Sequence, residues 1–511
     1  MKRTISLLLG ILMLLCSFEA CADDRIKFTA SAIETGGTQV FNSDAAYDAL
    51  NAKFNFDIEV YPVTWDNWAQ KSNMWIAGGE MPDTIFWNFN YIEYLNYVDQ
   101  RLIKALPDGW EETYPNLAAM IDATGIGEYI KVDGKTYCVP HVTYCLFAPM
   151  KEAIWNKSLY VRKDWAEQVG MQIEAGQLIT LDWLNEYITK VQAADLAGNG
   201  NTIGICGDAA DVARIFMFFT GFDISSPFMK DGESYVWGPT KAGVTNGIKT
   251  IKNWYEGKLI DPDFYVSTKS DARNKFYANL AAVMIEDGTI TNVSLRENEF
   301  NAANPGLNFT DCVANVALCG ESGEWYGYSA GNYWAANLYS PSIDDQVFDV
   351  ILKIQDYLCT KEGQELVNLG IAGTDFAKND DGSYTILRAA NEDGTYPSIR
   401  TVYPSLYFFY TFAELSDDFS FVDPTVNPSI LNNTIKLFQN KSASTVRLPF
   451  DPYATLFSSD SKAQYSLKIS DEVIREVVTE GIDIDTEWNN YIETNRGMWE
   501  PVVNDMNASI E

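Results

Sequence analysis

Residues 79–87 read Gly79-Glu80-Met81-Pro82-Asp83-Thr84-Ile85-Phe86-Trp87, a turn that runs into a short and nearly all-apolar strand. Upstream of it, residues 65–77 carry a helical pattern, and Gly78-Gly79 ends that helix. Before the helix, Asp57-Ile58-Glu59-Val60-Tyr61 alternates as a half-buried strand. Ala45, Tyr47, Leu50 and Phe54 recur at helical spacing behind Asp44, a candidate N-cap. Ile26-Lys27-Phe28-Thr29-Ala30 reads as the first strand. Strand and helix alternating in this way predict parallel strands with helical crossovers, an α/β layer. In open α/β sheets ligands sit beyond the carboxyl ends of the strands. That rule directs attention to Trp65 and Asp66 after the second strand, and to Trp87, Asn88 and Asn90 at the third.

The chain has 511 residues, too many for one ordinary core, so two lobes are expected. Its 37 Lys+Arg against 70 Asp+Glu give a net charge of -33. Such a surface repels phosphate backbones and anionic headgroups, which argues against nucleic acid and a lipid surface as partners. Lys2 and Arg3, the apolar run from Ile5 to Cys16, and Ala20 and Ala22 form a secretory signal pattern over residues 1–22. Cleavage before Asp23 fits ordinary processing; lipidation of Cys21 competes with it, although Glu19 is a poor lipobox residue. No later stretch has transmembrane length, so any membrane attachment comes through that anchor. Cys138, Cys145, Cys206, Cys312, Cys319 and Cys359 allow 15 disulfide connectivities, or none.

Several stretches, in order along the chain, resemble family 1 extracellular solute-binding proteins, the maltose-binding-protein-like proteins of ABC transporters. Residues 79–87 resemble their G-x-x-P-D-I-I-F-W stretch, and Asp133-Gly-Lys-Thr-Tyr-Cys-Val-Pro140 their D-G-K-x-Y-x-x-P strand. Leu159-Tyr-Val-Arg-Lys-Asp-Trp165 is similar to L-Y-x-R-K-D-W, and Phe276 to Met284 to a return strand in which Asn279 replaces a glycine. Ala330 to Ala336 and the Thr360-Lys-Glu-Gly helix follow in the same order. The length, and Gly370 to Asp375, are similar to a longer, LipO-like subgroup. The resemblance implies a two-lobed periplasmic-binding-protein type II fold, with a hinge of crossing strands and a cleft between the lobes. On that basis lobe 1 is expected from residues 23–145 plus 285–337. Lobe 2 is expected from 146–284 plus 338–511, with helices near the C-terminus. It also implies a monomeric receptor for an ABC permease, exported to the periplasm or cell surface, with no cofactor.

A sugar cleft needs an aromatic platform beside amides or carboxylates. Trp87 with Asn88 and Asn90 supplies that combination, and by resemblance Trp87 matches an aromatic sugar contact and Asn90 a hydroxyl-binding acid. The bland alternative is that Trp87 packs in the core. Trp65, Asp66 and Trp68 form a second set, with helix capping and packing as the alternative. Phe222 and Asp223 are candidates by resemblance in the second lobe. Glu286 and Asp287 follow the return strand, and Tyr333, Trp334, Tyr144 and Trp155 flank expected crossings. Asp195, Asn199 and Asn201 resemble a degraded calcium loop, in which Ala197 replaces an acid, so a metal-free turn is favoured. Cys138, His141 and Cys145 lack a fourth zinc ligand.

His141 is the single histidine, and no G-x-S-x-G motif accompanies it, which leaves little for triad chemistry. The reading is therefore a non-enzymatic binding protein that captures a carbohydrate, an oligosaccharide first among them, for import. A secreted carbohydrate hydrolase, which needs only two carboxylates, and a glycan-binding adhesin stay open as alternatives.

Overall fold

The computed structural model describes residues 25–33, 42–123, 126–142, 157–198, 200, 202–213, 227–320, 323, 325–328, 333–391, 396–412, 424–448, 454 and 456–510. Ten strands carry the architecture. They are β1 (Ile26–Ile33), β2 (Phe56–Val63), β3 (Thr84–Asn88), β4 (Cys138–Val142), β5 (Lys157–Arg162), β6 (Leu178–Thr180), β7 (Ile203–Cys206), β8 (Ala281–Asp287), β9 (Val313–Cys319) and β10 (Tyr333–Tyr339). They form two five-stranded sheets, β2-β1-β3-β10-β4 and β6-β9-β5-β8-β7. The chain is a two-lobed α/β protein, one lobe around each sheet.

In each sheet one strand runs against the rest. β1 lies parallel to β2 from Ile26 opposite Phe56 to Ile33 opposite Val63, and β3 runs parallel to β1. β10 is antiparallel to both β3 and β4, with Ala336 opposite Trp87 and Pro140. In the second sheet β5 is the reversed strand, antiparallel to β8 and β9, which run parallel to β7 and β6. The two reversed strands are the ones entered by crossing between lobes, from β4 into β5 and from β9 into β10.

Local chemistry explains the elements. Asp44 accepts from the Tyr47 amide at 2.9 Å and caps helix Ala45–Phe54, as its position suggested. Gly79 takes φ 68, the left-handed conformation that ends helix Trp68–Gly78 at low steric cost. Thr268 and Asp271 form a reciprocal capping box on helix Lys269–Tyr277. β8 and β9 are almost continuously apolar and buried, as strands covered on both faces are. The first core gathers Phe28, Ile85, Trp87, Leu338 and Tyr339 with Ile351, Leu358 and Phe409. The second gathers Val161, Ile205, Val283 and Val316 with Trp237, Val473, Trp488 and Val502. Helices Ile469–Val478, Ile484–Thr494 and Arg496–Ala508 all pack on the second core, and Trp499 stacks on Trp237 at 5.2 Å.

Strand pairing corrects the expected lobe boundaries. The first crossing lies between β4 and β5, and the expected residue 145 is outside the described residues. The expected return at 285 falls inside β8, which stays in the second sheet, as does β9. The segment expected to join lobe 2 from residue 338 onward instead supplies helices Asp345–Leu358, Lys361–Leu369 and Ser405–Tyr410 to the first core. The later crossings therefore lie between β9 and β10, and between helices Ser405–Tyr410 and Pro428–Ala443. Cys138, Cys206, Cys312, Cys319 and Cys359 are buried, while Cys145 lies outside the described residues. Burial pushes the Cys138 thiol up to about 12. Among the described residues no helix is long and apolar enough to cross a membrane.

Candidate functional site: the seam between the two sheets

The carboxyl edges of the two sheets meet at a seam, where Asp66 of one lobe and Ser270 of the other are hydrogen-bonded. After β2, Asn67 accepts from the Thr64 amide at 2.9 Å, and this turn presents Trp65 and Asp66 ahead of helix Trp68–Gly78. Asp66 is exposed and accepts from the Ser270 hydroxyl at 3.3 Å. Ser270 sits in the first turn of helix Lys269–Tyr277, which packs on the second sheet, so this contact ties one lobe to the other.

On the first-lobe side, Trp65 is half-buried. Its ring lies edge-on to Trp68 at 5.8 Å and to Phe86 at 6.5 Å. It also hydrogen-bonds Tyr407 of helix Ser405–Tyr410. Burial raises the Tyr407 phenol above its usual range. The Trp65 bond and the positive charges of Arg400, Arg296 and Arg273 pull the other way. Arg273 and Arg296 belong to the second lobe, so Trp65 and Tyr407 form an aromatic wall within electrostatic reach of them.

The second-lobe side is a dense polar platform. β8 delivers Glu286 and Asp287, and Asp287 lies opposite Lys157 at the start of β5. Arg273 donates from Nε to Glu286 at 2.5 Å, and Arg296 approaches the same carboxylate at 3.7 Å. Arg296 also pairs with Glu299 at 3.3 Å. Lys157 and Lys269 share the buried Asp211, at 3.4 and 3.9 Å. Burial alone would raise the Glu286 carboxyl, but Lys157, the Arg273 ion pair and Arg296 overcome it and hold it down at about 2. Glu286 is thus a fixed anion, while Arg296 keeps Nε and Nη1 buried without a hydrogen-bond partner.

The residues expected from sequence divide. Trp65, Asp66, Glu286 and Asp287 stand at the seam. Trp87 does not face it: its ring is 0% exposed, packs on Phe89 and Tyr97, and donates to Asn73 Oδ1 at 2.9 Å. A ring without a free face offers no platform, so here the core alternative describes Trp87. Trp68 is likewise buried, stacked on Phe86 at 5.1 Å. Asn88 is exposed at the end of β3, while Asn90 spends its side chain capping helix Tyr91–Asp99. Tyr333 and Trp334 begin β10 at the same carboxyl edge, with side chains outside the described residues, and Tyr144, Trp155, Phe222 and Asp223 lie outside them altogether.

The degraded calcium loop is closed by the protein's own donors. Asp195 accepts from the Gly200 amide at 2.9 Å and from the Thr202 hydroxyl at 2.8 Å, one on each carboxylate oxygen. Asn199 and Asn201 lie outside the described residues. Both oxygens of this carboxylate are engaged within the loop, and it is the single acid among the three candidate donors. His141 is buried with Nε2 2.5 Å from Asn337 Oδ1, and Cys138 is in the first core, so they do not form a zinc pair. Among the described residues no group of three His, Cys, Asp or Glu could hold a metal. Sequence reading missed Tyr407, Ser270, Arg273, Arg296 and Lys157. They reach the seam from helices and a strand far apart in the chain, and nothing in their local composition separates them from other helical residues.

No family model matches the sequence, and no curated protein matches it. Solved structures do match in fold. The alginate-binding protein AlgQ2 without calcium ion superposes with a TM-score of 0.67 at 12% identity, over 95% of this chain and 98% of that one. The S. pneumoniae ABC-transporter substrate binding protein FusA, in complex with kestose, has a TM-score of 0.66 at 16% identity, over 95% and 98%. The N-glycan transport solute binding protein NgtS from Streptococcus pneumoniae, in complex with Man1GlcNAc, has 0.60 at 14%, over 95% and 99%. At these identities the likeness is one of fold, and it extends over nearly the whole of each chain.

Proposed function

We propose that this protein is an extracytoplasmic solute-binding protein, of the LipO-like kind suggested by its sequence, that captures a carbohydrate between its lobes and hands it to an ABC importer. The observation that carries the reading is the seam itself. An aromatic wall, Trp65 with Tyr407, stands across from a clamped polar platform, Arg273 with Glu286, and only the closed arrangement brings both within reach of one ligand. Pyranose rings offer a C–H face to aromatic rings and hydroxyls to charged groups, so this pairing suits a sugar.

Binding energy available only in the closed form drives closure, because a ligand shifts a conformational equilibrium by its differential affinity for the two states. The permease would then read the closed shape. Residues 1–22 would direct export, with Cys21 as the anchor if the chain is lipidated. The protein would act as a monomer and without chemistry on its ligand. The test is a thermal-shift screen of the purified protein against an oligosaccharide panel, followed by calorimetry and mass spectrometry of the recovered ligand. A saturable, intact ligand is the expected result; a cleaved one would make the protein a hydrolase.

A further inference from the structure

We infer that the cleft takes a saccharide bearing an anionic group, a carboxylate or a sulfate ester, seated between Arg400 of the first lobe and Arg273 and Arg296 of the second. This deepens the carbohydrate-binding reading above and rests on it. Arg400 lies on helix Ile399–Val402 of the first lobe, with its guanidinium 3.7 Å from the centre of the Tyr410 ring. Tyr407 stands three residues before Tyr410 on the same face of helix Ser405–Tyr410, which puts Arg400 beside the aromatic wall. Arg400 donates from Nη2 to the Asn368 side chain at 3.2 Å, and its Nε is buried without a hydrogen-bond partner. Among the described residues no acid pairs with it.

Across the seam the donors are also incompletely used. Arg273 gives Glu286 its Nε alone, and its side chain is 20% exposed, so its two amino groups stay open to a ligand. Arg296, 2% exposed, leaves Nε and Nη1 without a hydrogen bond. Glu286 and Glu299 balance the charge of these two arginines, and Arg400 remains as the uncompensated cation. Burial raises the Tyr407 phenol, and the charges acting on it most strongly are Arg400, Arg296 and Arg273, with no acid among them. Closing the lobes therefore brings like charges together, which opposes closure. An anion between them reverses the sign of that interaction and fills N–H positions that are costly to bury empty. Guanidinium forks suit the paired oxygens of such a group. A neutral sugar leaves the repulsion in place. The chain's charge of -33 acts weakly here, because salt screens charges more than about 8–10 Å away while these arginines are local.

The experiment is isothermal titration of the purified protein with charged oligosaccharides and their uncharged twins. The probes are galacturonate and alginate oligosaccharides against their methyl esters, and a sulfated galactan oligosaccharide against its desulfated form. Which pair responds tells carboxylate from sulfate. The expected result is that the charged member of at least one pair binds about tenfold or more tighter than its twin, the worth of a charge-assisted hydrogen bond. Its Kd should weaken severalfold between about 20 and about 200 mM NaCl. Binding of the neutral members as tightly as the charged ones, or more tightly, would overturn the inference and leave the proposed function standing. Failure of every neutral and charged sugar to bind would take down the proposed function, and the inference with it. Arg400→Gln, folded by its melting profile, is expected to lose about tenfold in affinity for the charged sugar together with most of the salt dependence. Arg496→Gln removes the same charge from the last helix and is expected to bind as the wild type does. A folded Arg400→Gln protein with wild-type affinity and salt dependence would overturn the inference.

Discussion

Trp87 and Trp65 make a discriminating pair, because a fold-family analogy favours the first as a ligand contact and the geometry favours the second. Trp87→Ala would empty a fully enclosed site in the first core and remove the indole bond to Asn73. A buried Trp truncated to Ala costs about 3–5 kcal/mol. The lost hydrogen bond belongs within that range and accounts for about 1 kcal/mol of it. For a lobe of this size, that corresponds to a fall in Tm on the order of 10 °C. The folded fraction should still bind its sugar with unchanged affinity. Trp65→Ala should do the reverse. The ring is half-buried at the seam, and loss of a stacking face is worth ~1–3 kcal/mol by analogy with base stacking, or about 5- to 150-fold in Kd. Its Tm should move by far less. Differential scanning fluorimetry and calorimetry at 25 °C on both variants, with Trp87→Phe as the milder core change, separate the two roles. A Trp87→Phe protein with normal Tm and lost affinity would refute the assignment, as would a Trp65→Ala protein that binds normally.

Three other outcomes are expected. Asp66→Ala removes the hydrogen bond to Ser270 across the seam, an exposed contact worth about 0.5–1 kcal/mol, and should raise the open population about two- to fivefold by single-molecule FRET between the lobes. Glu286 is held at about 2 in the folded protein, below its ordinary value, so the stability it contributes is present above the unfolded value and drains away as pH falls toward 2; urea midpoints at pH 3 and pH 7 should differ more for wild type than for Glu286→Gln. Thr202→Val removes the hydroxyl bond to Asp195 and should cost about 1 kcal/mol, while calcium or a chelator leaves the wild-type Tm in place; a calcium-dependent Tm would show that the loop binds the ion.

The first lobe was legible because its early part is locally written. β1, β2 and β3 and the helices between them follow from periodicity, the Asp44 cap and the Gly79 stop, and each came within a few residues of the expected span. The helices after residue 469 were likewise expected on the second lobe and pack there. What the local pattern does not record is partnership. β8 and β9 are continuous apolar runs, and such a run can sit in the middle of either sheet, so the expected crossings at 285 and 337 were misplaced. The same ambiguity misread Trp87: an aromatic at the end of an apolar strand can face a cleft or a core, and only helices Trp68–Gly78 and Tyr91–Asp99 around it decide. Asp66 follows β2 and Glu286 lies near the end of β8, where the strand-end rule directs attention, whereas Tyr407 and Arg273 lie within helices to which that rule does not apply.

The position of β10 has a consequence for biosynthesis. It is inserted between β3 and β4, yet it is translated only after all five strands of the other sheet. While the ribosome is still making the second lobe, β3 and β4 have no partner between them, and the helices that seal the first core have not emerged. Neither half can finish folding until most of the polypeptide has been released, and pairings this distant in sequence form slowly. Such a nascent chain stays loose, with its first strands unpaired, until those late partners arrive.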